Sequence, residues 1–142
     1  MSSIEFVPFQ PEHLAQIQLP QHQAEYYQRL IRPGYAESLA TGPAWTAFDG
    51  DRVIGCAGLL EQWSGRSIAW AMAGDIPTDS GPSILEKLKS VLADQPGRIE
   101  ITAPTNNGAA CGVAMALGFV AEGMLKSYGP DGSDHILFAK VA

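Results

Sequence analysis

Three histidines, two cysteines and two Ser-Gly pairs are the residues from which metal, redox or nucleophilic chemistry would have to be built in this chain. Their spacing builds none of these. His13, His22 and His135 show no metal-ligand spacing with one another or with Cys56 and Cys111. Ser64-Gly65 and Ser80-Gly81 lack the context of a nucleophile elbow. Both cysteines sit among small apolar residues. Two buried thiols in a reducing compartment are the expectation, with a disulfide as the alternative. Trp45, Trp63 and Trp70 read as strand aromatics of the core, or else as the wall of a pocket.

Charge narrows the partners. Fifteen acidic residues against nine basic ones give a net charge of −6 and a pI of about 4.9, and no Lys/Arg cluster occurs anywhere. Nucleic acid is not an expected partner, because phosphate binding rests on clustered cations. A polyanionic small molecule would depend on backbone donors or on a few placed cations. The 142 residues, 46% hydrophobic and 17% charged, suit one globular domain over 1–142 rather than disorder. No segment has the apolar length of a membrane span, and MSSIEFVPF lacks the basic start and apolar run of a signal peptide.

The elements that must position any site alternate strand and helix. Residues 4–8 read as a strand, 10–14 as a short helix with Pro11 in its first turn, 21–31 as a helix and 35–40 as a helical turn. Asp49-Gly50-Asp51 between apolar runs predicts a hairpin joining 44–48 to 52–60. Residues 62–66 read as a turn and 67–74 as an alanine-rich strand. Gly81-Pro82-Ser83 opens a helix whose face is Ile84, Leu85, Leu88, Val91 and Leu92, with Ser83 and Glu86 in capping-box form. Residues 98–103, 119–124 and 135–141 are strands, and Asn107 caps a helix running to Leu117. Strands flanking helices, with a run of hairpins, imply an α/β (α+β) fold. Its mixed central sheet would have about six or seven strands, with helices on both faces. The strands at 67–74 and 98–103 are expected to run parallel, since a helix joins them.

The stretch 106–141 carries the most specific pattern: a helix of small residues enters Leu117-Gly118-Phe119, then a strand, a turn-forming segment and a final apolar strand. This layout, and the element order of nearly the whole chain, resembles the GNAT acyltransferase fold, which implies acetyl-CoA as cofactor. The resemblance assigns backbone amides of Ala71, Met72 and Ala73 in the fourth strand to the pantetheine arm and the thioester carbonyl. A tightly packed central strand is the plainer reading of the same alanines. The family's pyrophosphate loop leads into a helix N-terminus that favours an anion. Here it corresponds to residues 78–83 and keeps Gly81, with Ser83 standing where the family has Gly or Ala. Thr78 replaces an Arg or Gln, Pro82 removes a donor, and Asp75 and Asp79 add negative charge. Weak acetyl-CoA binding, or none, is therefore expected.

Asn107 and Ala110 match the family's Asn-x-x-Ala. The position of its acid, a Tyr four residues before the helix-ending glycine, is Ala114. No carboxylate base occurs in 67–73, so Glu61 is the nearest acidic candidate and Tyr128 the nearest spare phenol. Each also reads as an ordinary surface or turn residue.

Four phrases give a narrower resemblance. They are Phe9-Gln10-Pro11-Glu12-His13-Leu14, Ala44-Trp45-Thr46-Ala47, Asp49-Gly50-Asp51-Arg52-Val53-Ile54-Gly55, and Tyr128-Gly129-Pro130-Asp131-Gly132 before His135. Together they are similar to short GNAT-like proteins of tailed-phage structural modules, the internal-virion-protein A type. The resemblance implies a phage particle or infected-cell cytoplasm, other virion or assembly proteins as partners, and acyl transfer absent or marginal. An exposed patch built on Tyr26, Tyr27, Tyr35 and Trp63 would serve such contacts. The alternative is an active acetyl-CoA-dependent N-acetyltransferase of the bacterial cytoplasm, acting on a small-molecule or protein amine.

Overall fold

The computed structural model describes residues 4–141, apart from the side chain of His22. Its strands are β1 (Ile4–Pro8), β2 (Ala44–Asp49), β3 (Arg52–Trp63), β4 (Arg66–Ala73), β5 (Arg98–Pro104), β6 (Val120–Leu125) and β7 (His135–Val141). Its helices are α1 (Ala24–Leu30), α2 (Tyr35–Leu39), α3 (Gly81–Ala93) and α4 (Gly108–Ala116). The strands form one mixed seven-stranded sheet in the order β1-β2-β3-β4-β5-β7-β6. Two compact units divide the chain: residues up to Leu60 with Ala69–Ile84, and Glu61–Ile68 with Leu85 onward.

In the first unit, β1 pairs antiparallel with β2, and β2 with β3 across Gly50 and Asp51. Gly50 adopts a φ of +65°, which is why Asp-Gly marks this hairpin so clearly. Behind the strands lies a buried cluster of Phe9, Leu14, Ile17, Leu39, Val53, Cys56 and Met72. Phe9, Leu14 and Ile17 are delivered by a 3₁₀ turn over Pro11–Gln16 and its flanks. Each such side chain taken out of water contributes about 2 kcal/mol.

In the second unit, β5 pairs antiparallel with β7 over seven residue pairs, and β7 with β6. β4 runs parallel to β5, as the crossover helix requires, with Arg66 opposite Arg98, Ser67 opposite Ile99 and Ile68 opposite Glu100. That ladder stops at Ile68, leaving the later β4 residues outside it. Ile99, Ala114, Phe119 and Phe138 are buried here.

Several expectations need correction. β3 runs on to Trp63 and β4 starts at Arg66, so the turn is only Ser64 and Gly65. Trp63 is 62% exposed rather than part of the core, because it lies on the protruding tip of β3, where Glu61 and Gln62 are exposed as well. Ser83 does not cap α3. A 3₁₀ turn at Thr78–Ser80 winds directly into a helix that starts at Gly81, and the Ser83 hydroxyl donates back to the Ser80 carbonyl at 3.3 Å. Both cysteines are free thiols, but only Cys56 is buried; Cys111 is half-buried on α4. Tyr26, Tyr27 and Tyr35 are half-buried rather than exposed, and Tyr27 lines an open groove of about 310 Å³ with Leu19, Ala24 and Ile31.

Candidate active site

β4 and the start of α3 carry the expected thioester and phosphate positions, and both lie in the first unit. Strand alternation turns Met72 into the buried cluster and leaves Ala71 and Ala73 exposed. Gly81, the first residue of α3, has an ordinary helical φ of −53°, and a methyl group there would meet nothing within 4 Å. Neither backbone conformation nor packing requires a glycine at this position, and the open space lies at a helix N-terminus, where an anion is favoured. Against that, Pro82 contributes no amide, and the approach to the helix carries exposed Asp75 and Asp79. Ser83 is exposed on the first turn.

α4 in the second unit bears the remaining motif residues. The Asn107 side chain accepts from the Ala110 amide at 3.1 Å, so its carbonyl oxygen is committed to capping the helix. Ala114 is 3% exposed, on the inward side of α4. Glu61 is exposed on β3. Tyr128 is exposed in the β6–β7 connection, its ring tilted against His135 at 5.2 Å. No hydrogen bond, ion pair or ring contact joins Glu61 to Tyr128 among the described residues.

His135 is 2% exposed, with Nδ1 3.2 Å from the Thr102 hydroxyl. Burial pushes its pKa down, and Asp131 partly opposes that shift. Burial pushes the Tyr27 phenol up, and the Tyr35 phenol too, with Tyr27 adding to the latter. Among the described residues no group of three or more His, Cys, Asp or Glu side chains is placed to hold a metal ion, and the side chain of His22 lies outside them. No helix of the described residues is long and apolar enough to cross a membrane.

The strongest electrostatic feature was missed in the sequence. Arg66 donates two hydrogen bonds to Glu100, at 3.0 and 2.7 Å. Arg98 donates to Glu100 at 2.6 Å and forks onto Glu122. Arg66 also stacks over the Trp63 ring, 4.7 Å from its centroid. Arg98 and Glu100 stand two apart on one strand face, a visible signal, but their partners lie 34 and 24 residues away. Arg66, then Arg98, hold the Glu100 carboxyl down at about 2.

Glu100→Gln is expected to cost about 2 kcal/mol at neutral pH, the scale of hydrogen bonds to a charged group. A depressed carboxylate stabilises fully above its unfolded value of about 4.3 and loses that contribution as pH falls toward its folded value. Urea unfolding of the two proteins should therefore diverge at pH 7 and converge between about pH 4.5 and 2. A gap independent of pH would refute the assignment.

No protein-family model and no curated protein matches the sequence. Solved structures do. The GNAT-family acetyltransferase of Streptococcus pneumoniae aligns with a TM-score of 0.67 at 15% identity, over 99% of this chain and 100% of its own. The ribosomal-protein-S5-alanine acetyltransferase of Vibrio fischeri gives 0.65 at 14% identity, over 99% and 96%. The IAA acetyltransferase of Bacillus cereus gives 0.69 at 14% identity, over 96% and 98%. With its seven-stranded mixed sheet and parallel β4–β5 pairing, this chain has the fold of the GNAT acetyltransferases.

Proposed function

We propose that this protein uses the GNAT fold as a binding surface, as a virion or assembly component of a tailed phage, with acyl transfer absent or marginal. The observation that carries this reading is Ala114, an inward-facing methyl group at the position where the fold's proton donor is expected. The surface supports it as well. Trp63, Val113, Met115, Val120, Met124, Tyr128 and Val141 are all large, exposed and apolar or aromatic, and all belong to the second unit. Where such residues adjoin, they would form the kind of exposed apolar patch that marks a contact surface. The four phrases that resemble phage GNAT-like proteins favour that setting, and other virion or assembly proteins are the partners proposed.

Acetyl-CoA fits the first unit poorly. Open space at Gly81 would admit a phosphate, but Pro82 and the two aspartates oppose a polyanion there. Ala71, Met72, Ala73, Ser83 and Asn107 would be the remaining contacts. Calorimetric titration is expected to give a Kd above about 100 μM, no stronger than about −5.5 kcal/mol. A low-micromolar Kd that Gly81→Asp abolishes would instead favour a working acetyl-CoA-dependent N-acetyltransferase. Absence of the protein from purified particles and from assembly intermediates would end the virion reading.

A further inference from the structure

Four charges cross one face of the second unit as a row. Arg66 of β4 pairs with Glu100 of β5, Glu100 with Arg98, and Arg98 with Glu122 of β6. Register shows what else shares that face, since residues opposite one another in a sheet point the same way. Arg98 stands opposite Val141, and Ala139 stands opposite both Glu100 and Val120. Val141 and Val120 are therefore diagonal neighbours beside the row, 70% and 66% exposed. At the other end the exposed Trp63 ring lies against the Arg66 guanidinium. The alternate residues Ile99 and Phe138, on the opposite face, are buried. An aromatic end and an aliphatic end thus flank a row of alternating sign.

We infer that this face joins two copies of the chain about a two-fold axis, the rows lying antiparallel across one another. From β4 to β6 the row reads plus, minus, plus, minus, so its reverse reads minus, plus, minus, plus. Arg66 then faces the partner's Glu122, and Glu100 faces the partner's Arg98, each contact occurring twice as the symmetry requires. Rows laid parallel would set like charge on like. The antiparallel rotation also brings Trp63 onto the partner's Val120 and Val141. Two arginines against two glutamates leave the row neutral in a chain of net charge −6. Contact here therefore adds nothing to the repulsion between two acidic chains.

The row is also ordered before any partner arrives. Both carboxylates are already paired, and Arg66 is stacked as well as bonded, so docking costs little side-chain freedom and strips no charge of its partner. Trp and Arg together are the residue types that dominate interface energies. Strand addition at β6, the last strand of the sheet, is the competing mode of association. It is opposed by a bulge between Ala121 and Gly123, where the charged Glu122 is the extra residue. The dimer needs only this chain, so it holds or fails apart from the virion reading.

Sedimentation of the purified, unaltered protein is expected to give twice the 15.1 kDa chain mass at about 100 μM. Val120→Asp and Trp63→Ala alter exposed side chains that folding does not need. Each should weaken association about thirtyfold, the scale of a hot-spot truncation. Cysteine pairs test the orientation, with unaltered protein as the control for Cys56 and Cys111. Trp63→Cys protein mixed with Val120→Cys protein should form a disulfide-linked pair under mild oxidation. Met124→Cys protein should not link to it, because Met124 stands opposite Ile136 on the other face. A monomer at that concentration, a dimer indifferent to both substitutions, or linking through residue 124 rather than 120 would overturn the proposal. A monomer that nonetheless co-purifies with particles would refute the dimer and leave the virion reading in place.

Discussion

Replacing Gly58 with alanine is expected to remove about 3 kcal/mol or more of stability, at the upper end of what overpacking costs. Gly58 sits on β3 directly opposite Ala44 of β2. A methyl group there would lie 2.7 Å from Ala44 Cβ, 2.7 Å from Trp70 Nε1 and 2.8 Å from the Pro43 carbonyl oxygen. Two of these three atoms cannot move by a side-chain rotation. The Pro43 carbonyl is fixed by the Leu59 amide at 2.9 Å, and the Ala44 carbonyl accepts from Phe9 at 3.0 Å. Trp70 cannot yield freely either, since Phe9 meets its ring edge-on at 5.3 Å. Domains of this size hold only about 5–15 kcal/mol in total, so the variant should show a sharply lower urea midpoint. Gly81→Ala is the matched control. Its φ is helical and its surroundings are open, so it should be neutral or gain up to about 1 kcal/mol. Equal midpoints for the two variants would contradict the packing described around Gly58.

That contact also marks the limit of what the sequence discloses. Local signals were legible because the physics behind them is local. Asp-Gly forces a hairpin, Asn107 caps the next turn, and the apolar run at His135–Val141 has the bounds of β7. The parallel pairing of β4 and β5 followed from chain connectivity. By contrast, the close approach at Gly58 depends on which β2 residue stands opposite, and register across a sheet leaves no mark on one residue. The Arg66–Glu100–Arg98–Glu122 chain is non-local in the same way. Boundaries failed where polar residues continued a strand. Gln62 and Trp63 read as part of a turn because they lead into Ser64-Gly65, yet the reversal needs only those two residues. For the candidate site, the alanine at residue 114 was readable, whereas its inward burial was not.

Purified protein given acetyl-CoA and a panel of amines is expected to acetylate them at no more than about 10⁻² of the rate of a catalytically complete enzyme, since a general acid or base contributes 10²–10⁴-fold. Burial sharpens the expectation beyond a missing functional group. An alanine on an exposed helix face could be changed back to tyrosine and activity sought. Ala114 is inward-facing, so Ala114→Tyr must force a phenol into packed side chains at a cost of about 1–3 kcal/mol. The variant should therefore lose stability without gaining a usable acid. Glu61 and Tyr128 are not expected to replace it: both are exposed, and the Tyr128 ring lies tilted against His135, 5.2 Å between centroids. Glu61→Gln and Tyr128→Phe should leave whatever residual rate exists unchanged within twofold, because removing a group that transfers no proton costs nothing at the transition state. A turnover rate that drops a hundredfold or more in either variant would identify a working acid or base and return this chain to the acetyltransferases whose fold it has.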